Sequence, residues 1–203
     1  MCTIELYQAI LQTLPPLTAK VQRGASLSEI QDLERKLGIV LPSALVNLYL
    51  HTDGNDDDIG VFSDYQFLSI AQVYEAIDAL IEGASYFNEL EPFPCHPEQT
   101  IKNIGYSKYW VPFAGTDSGN HIGVDLDPGV KGISGQVINF GPDEFFRVQI
   151  AENFDTFLEK LLTGYQRKEF HPTFSNSINI VDSIIGEAQR NSSVRQVGGV
   201  RSC

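Results

Sequence analysis

Between Lys36 and Lys102 the sequence contains no lysine or arginine. Within that gap, residues 52–98 hold Asp53, Asp56, Asp57, Asp58, Asp64, Glu75, Asp78, Glu82, Glu89, Glu91 and Glu98. These are 11 of the 26 acids, and the other 15 nearly cancel against the 14 bases. The net charge of −12 therefore belongs almost entirely to one quarter of the chain. A local field of that sign repels nucleic acid and anionic lipid and attracts basic partners. Cysteine is scarce as well. Cys2, Cys95 and Cys203 are odd in number and far apart, which argues against a disulfide framework and suits a reducing cytosol. No apolar run approaches the roughly 20 residues of a membrane helix. Residues 1–7 carry Glu5 and no base, unlike the positively charged start of a secretory signal. The expectation is a soluble, cytoplasmic protein.

What is present is enough to fold. Hydrophobic residues make up 42% of the 203 residues, which suffices for one substantial core. Ile4, Tyr7, Ile10, Leu11 and Leu14 are spaced for a first helix, stopped by Pro15-Pro16. Ser26-Leu27-Ser28-Glu29 is a capping box opening a second, with Ile30, Leu33 and Leu37 inward and Gly38 as its left-handed end. Pro42 opens a third, carrying Leu45, Leu48 and Tyr49. Residues 65–68 read as a short strand. Ser69 then caps a helix with Ile70, Val73, Tyr74, Ile77, Leu80 and Ile81 on one face and Glu75, Asp78 and Glu82 on another.

Residues 84–108 show little periodicity and read as a long loop. Beyond them the period becomes two. Residues 110–114, 122–126, 136–140 and 146–150 read as strands, with glycines in the connections. Pro112 places the first of these at an edge or a bulge. Asn153 caps a helix through Phe154, Phe157, Leu158, Leu161 and Leu162 that Gly164 ends. Residues 165–170 are expected to add a strand and 178–189 a further helix. Helices first, a meander next and a helix last define an α+β fold: N-terminal helices, a central mostly antiparallel sheet and a C-terminal helix packed on it.

Catalysis needs converging groups, and the candidate sets are incomplete. Asp53, Asn55 and Asp57 fall at the first three ligand positions of a calcium loop. The sixth position holds Asp58 where a glycine is needed, and the twelfth holds Asp64 where a bidentate glutamate is needed. His121 and Asp125 lie on the outward face of one strand, about 13 Å apart at ~3.3 Å per residue, too far to share a metal or a proton. His51 and His171 are isolated, and Cys95-His96 sits between Pro94 and Pro97. No phosphate loop and no nucleophile elbow is present. The expectation is no enzyme, no cofactor and no metal.

Three ordered segments carry a resemblance. Leu33-Glu34, Leu37-Gly38, Leu41-Pro42 and Asp53-Gly54 come first. Trp110-Val111-Pro112-Phe113-Ala114 and the run from Gly119-Asn120-His121 to Asp127-Pro128-Gly129 follow. Gly135-Gln136-Val137-Ile138-Asn139-Phe140-Gly141, then Ile150-Ala151, Phe154 and Phe157-Leu158, complete the set. Together they resemble the cell-wall-assembly-regulator (Smi/Knr-like) branch of the SUKH superfamily over roughly residues 27–163. The acidic run at Asp56–Asp58 and everything beyond residue 170 lie outside the resemblance. It implies bacterial relatives that neutralise toxins and fungal relatives that regulate wall synthesis by binding proteins. On this reading residues 1–25 are a helix and linker, 26–170 the SUKH-like domain, 171–189 a helical extension and 190–203 a disordered tail.

The functional expectation is a protein-binding module, of immunity or regulatory type, that holds a basic partner such as a toxin domain. Nucleic acid and membrane are excluded as partners. Its first candidate surface is Asp53, Asp56, Asp57, Asp58, Glu75, Asp78 and Glu82. Its second is the polar edge at Asp117, His121, Asp125 and Asp127, beside the cleft that the resemblance implies. The alternatives are a regulatory scaffold in glucan synthesis and, last, a metal-dependent hydrolase.

Overall fold

A computed structural model of the chain describes residues 1–14, 22–55, 61–88, 93–169 and 180–186. Its elements in chain order are α1 (Thr3–Thr13), α2 (Leu27–Leu37), α3 (Ser43–His51), β1 (Gln66–Phe67), α4 (Ile70–Asn88), β2 (Cys95–His96), β3 (Trp110–Gly115), β4 (His121–Asp125), β5 (Gln136–Phe140), β6 (Arg147–Ala151) and α5 (Phe154–Gln166). Residues 180–186 are helical too. The sheet has six strands in the order β1-β3-β4-β5-β6-β2. All pairings are antiparallel except that of β2 with β6, so the fold is α+β with a mostly antiparallel sheet.

The local signals act as their chemistry requires. The Ser26 hydroxyl accepts the Glu29 N–H, and the Glu29 carboxylate accepts the Ser26 N–H at 2.7 Å. Gly38 ends α2 at φ +67°, in the left-handed region that costs a glycine nothing. Ser69 and Gln72 make the same reciprocal cap at the start of α4. Asn153 caps α5 through the Thr156 N–H at 2.9 Å. Pro42 stands one residue before α3 as its N-cap rather than in its first turn. The register of β3 on β4 shifts between Pro112 and Ala114, the bulge that the proline imposes.

Period-two alternation sends side chains to two faces, and both are covered. On one face Val111, Phe113, Ile122, Val124, Val137, Val148 and Ile150 meet α1, α3 and α5 in the main core. Phe62 lies at its centre, ring to ring with Tyr7, Phe67, Phe113 and Phe157 at 5.3–6.3 Å. On the other face Trp110, Ile138 and Phe140 pack under Leu80, Ile101 and Tyr106. Gly123 allows this close stacking. A Cβ there would lie 2.4 Å from the Val111 carbonyl and 2.7 Å from the Phe140 ring.

Two expectations about elements need correction. Residues 84–108 are not one loop: α4 runs on through Gly83 to Asn88, and β2 joins the sheet. A glycine inside a helix costs only about 1 kcal/mol, which packing along α4 offsets. Residues 165–170 add no strand among the described residues, because α5 passes through Gly164 to Gln166. The Tyr165 hydroxyl there donates to the Val61 carbonyl at 3.1 Å and accepts the Ser63 N–H at 2.8 Å. Pro15-Pro16, Asp56–Asp58, and residues 178–179 and 187–203 lie outside the described residues.

Because four ring contacts converge on Phe62, Phe62→Ala should lower unfolding free energy by about 3–5 kcal/mol in urea titrations. Val130→Ser, at a position 90% exposed, should change it by under about 0.5 kcal/mol.

Candidate functional site

The first candidate surface is built on α4. Buried Ile70, Val73, Ile77 and Leu80 fix the rotation of the helix against the core. Glu75, Asp78 and Glu82, three and four residues apart, are thereby turned to solvent as one acidic ridge. Helix α2 lies alongside. Lys36 Nζ reaches Asp78 at 2.9 Å and stands 4.7 Å from the centroid of the Tyr74 ring. An exposed pair of this kind is worth little in stability, but it tempers the field at Asp78.

Asp53 belongs to the scaffold rather than to the ridge. Its carboxylate is half-buried and accepts the Ile70 N–H at 2.7 Å, at the positive end of α4. Burial raises its pKa, opposed by that hydrogen bond. Asn55, another position of the calcium-like run, is likewise engaged, its Oδ1 accepting the Phe67 N–H at 2.6 Å. Among the described residues no group of three or more His, Cys, Asp or Glu side chains is arranged to hold a metal ion. No helix among them is long and apolar enough to cross a membrane.

Two of the four residues of the second candidate surface, His121 and Asp125, are closed off from solvent. His121 is 7% exposed and Asp125 0%, although strand alternation marks both as outward. That outward face is the one that Leu80, Ile101 and Tyr106 cover. The His121 ring stacks on Phe140 at 5.8 Å, and burial lowers its pKa from 6.5 to about 4, so the imidazole is neutral. Asp125 sits in a polar network. It accepts the Asp127 N–H at 3.0 Å and the Gln136 amide at 2.9 Å. Gln136 donates also to the Thr100 carbonyl at 2.8 Å and accepts from Gln149 at 3.0 Å. Burial raises the Asp125 pKa from 3.8 to about 6 against those hydrogen bonds. The network ties the β4–β5 hairpin to the covering segment. Asp127 is half-buried and pairs with Lys102, while Asp117 stands exposed in the β3–β4 turn.

Arg147 is the group that sequence reasoning missed. It lies on the covered face of β6 and is 0% exposed. Its guanidinium sits 4.7 Å from the Phe93 ring and 5.7 Å from the Trp110 ring, and its Nη2 donates to the Gly105 carbonyl at 2.9 Å. Nε and Nη1 have no hydrogen-bond partner among the described residues. Burial lowers its pKa to about 10, opposed by the Glu144 charge. A basic residue alternating with Phe146 and Val148 reads as solvent-facing; only the covering segment seals it in.

The fold is an α+β domain with a sheet covered on both faces and an acidic helical ridge. The sequence matches the SMI1 / KNR4 family (SUKH-1) over residues 24–160, and the chain belongs to that family. It is 25% identical over 180 residues to the "Cell wall assembly regulator SMI1" of Saccharomyces cerevisiae, covering 71% of this chain and 36% of that protein. It is 27% identical over 150 residues to the "Cell wall biosynthesis/cell cycle regulator smi1" of Schizosaccharomyces pombe, covering 66% and 30%. It is 40% identical over 95 residues to a "KNR4/SMI1 homolog" of Kluyveromyces lactis, covering 43% and 18%. The matched region thus spans about a third or less of each of these relatives.

Two measurements probe the covered face. Asp125, with its pKa raised, contributes stability that is full below pH 3.8 and lost as pH rises through about 6. His121, with its pKa lowered, contributes stability that is full above pH 6.5 and lost as pH falls through about 4. The two slopes oppose each other between pH 4 and 6. Asp125→Asn should therefore make stability rise more steeply with pH than in the wild type, by about 1–3 kcal/mol across that window. Urea titrations at several pH values read this difference, and parallel wild-type and variant profiles would refute it. Arg147→Met, which removes a buried charge at similar volume, should leave stability within about 1 kcal/mol or raise it. Arg147→Ala should cost about 2–4 kcal/mol through the gap between the Phe93 and Trp110 rings.

Proposed function

We propose that this chain is a non-catalytic, protein-binding domain that regulates cell-wall synthesis by holding a basic protein on the acidic ridge of α4. The observation that carries this reading is a division of labour among the ionisable groups. Glu75, Asp78 and Glu82 stand in solvent on one helix, while His121 and Asp125 are sealed under the sheet cover. Exposed carboxylates steer a cationic partner and fix its orientation. Groups closed off from solvent are poorly placed to turn over a substrate. The names of the fungal relatives favour wall regulation over toxin neutralisation. The free thiols of Cys2 and Cys95 fit a reducing compartment, and we place the protein in the cytoplasm.

The test is affinity capture from a fungal lysate with the wild-type chain and with a variant carrying Glu75→Lys, Asp78→Lys and Glu82→Lys. The wild type should recover a basic protein of wall synthesis, which the variant loses. The association rate of the recovered protein should fall at least about tenfold between low and physiological salt. Equal recovery by the two chains, or a rate indifferent to salt, would sink the reading.

A further inference from the structure

Phe145 stands mostly in solvent, at 60% exposure. It sits in the turn between β5 and β6, and it is not loosely held. One face lies on the buried Phe93 ring at 6.3 Å between centroids and 9° between planes. Phe93 in turn lies against the Arg147 guanidinium, and that against Trp110. The result is a column that alternates rings and a cation from the core outward and ends in a free aromatic face. An exposed aromatic anchored from beneath is pre-ordered for contact.

The surroundings of that free face are acidic. Asp143, two residues before Phe145, is exposed and held in place by Asn120, whose Nδ2 donates to the carboxylate at 3.3 Å and whose Oδ1 accepts the Asp143 N–H at 3.1 Å. The same Asn120 ties in the β3–β4 turn, where Asp117 is exposed. Glu144 accepts from the Tyr65 hydroxyl at 3.0 Å, and the charges of Asp64 and Asp182 act on the same hydroxyl. An apolar partner would have to strip water from these carboxylates, and a second copy of the chain would bring like charge.

We propose that the β5–β6 turn is a docking platform for an arginine-bearing basic peptide segment, one guanidinium stacking on the free face of Phe145 and pairing with Asp143. Arginine suits the site better than lysine. Its planar, weakly hydrated head can stack on a ring while its edge donates to a carboxylate, and Arg147 already packs against rings in the column below. The proposal uses none of the ridge residues Glu75, Asp78 and Glu82 and stands or falls independently of them.

The test uses the full chain and a fluorescein-labelled synthetic peptide of alternating arginine and glycine, with a lysine-for-arginine control, followed by fluorescence anisotropy at physiological salt. The arginine peptide should bind saturably and more tightly than the lysine peptide. Phe145→Ala should weaken it roughly two- to fivefold with an unchanged melting temperature, and should abolish the preference for arginine. Phe145→Trp should restore or tighten binding. The Glu75→Lys, Asp78→Lys, Glu82→Lys chain should keep both the arginine preference and the Phe145 effect, whatever becomes of its captured partner. Absence of saturable binding, equal affinity of wild type and Phe145→Ala, or equal binding of the two peptides to the wild type would overturn the proposal.

Discussion

The rest of the structure depends on the burial of the central sheet on both faces. Antiparallel sheets commonly leave one face to water, and alternation then gives an apolar and a polar side. Here the apolar side closes on α1, α3 and α5 around Phe62. The nominally polar side is closed as well, by Leu80 of α4 and by Ile101 and Tyr106 of the segment that follows β2. Every polar side chain on that second face must then find its partner inside the protein. Asp125 and Gln136 do so through each other and through backbone groups. His121 stays neutral against the Phe140 ring, and Arg147 lies between aromatic rings with its Nη2 on the Gly105 carbonyl.

The same closure withdraws His121 and Asp125 from solvent, while Glu75, Asp78 and Glu82 on α4 stay exposed. Electrostatics there is long in range and modest in energy, suited to choosing and orienting a partner rather than to holding it alone.

Much of the architecture was legible in the sequence. The Ser26–Glu29 cap, Gly38, Ser69, Asn153 and the alternation through β3–β6 are local devices, and each acts within a few residues. Two elements were not legible, because neighbours in space stabilise them. The last turns of α4 continue past Gly83, and β2 exists only as a parallel partner of β6, some fifty residues on. The candidate site divides the same way. Glu75, Asp78 and Glu82 were visible as a ridge because helical spacing places side chains without further information. His121 and Asp125 were misplaced because alternation says which face a residue takes, not whether that face is covered.

The sequence by itself determined the class of fold, the order of most of its elements, the family to which the chain belongs and the concentration of negative charge in its first half. Helical and strand periods, caps and turns are short-range consequences of backbone geometry, and charge is additive along the chain. Only the tertiary structure decided that the sheet has no wet face, that Arg147 lies within the protein, that Asp53 caps a helix, and that Phe145 is presented from a column of rings. Burial is a property of what packs on top, and in this protein part of that cover, at Ile101 and Tyr106, comes from a segment whose own residues carry almost no periodic signal.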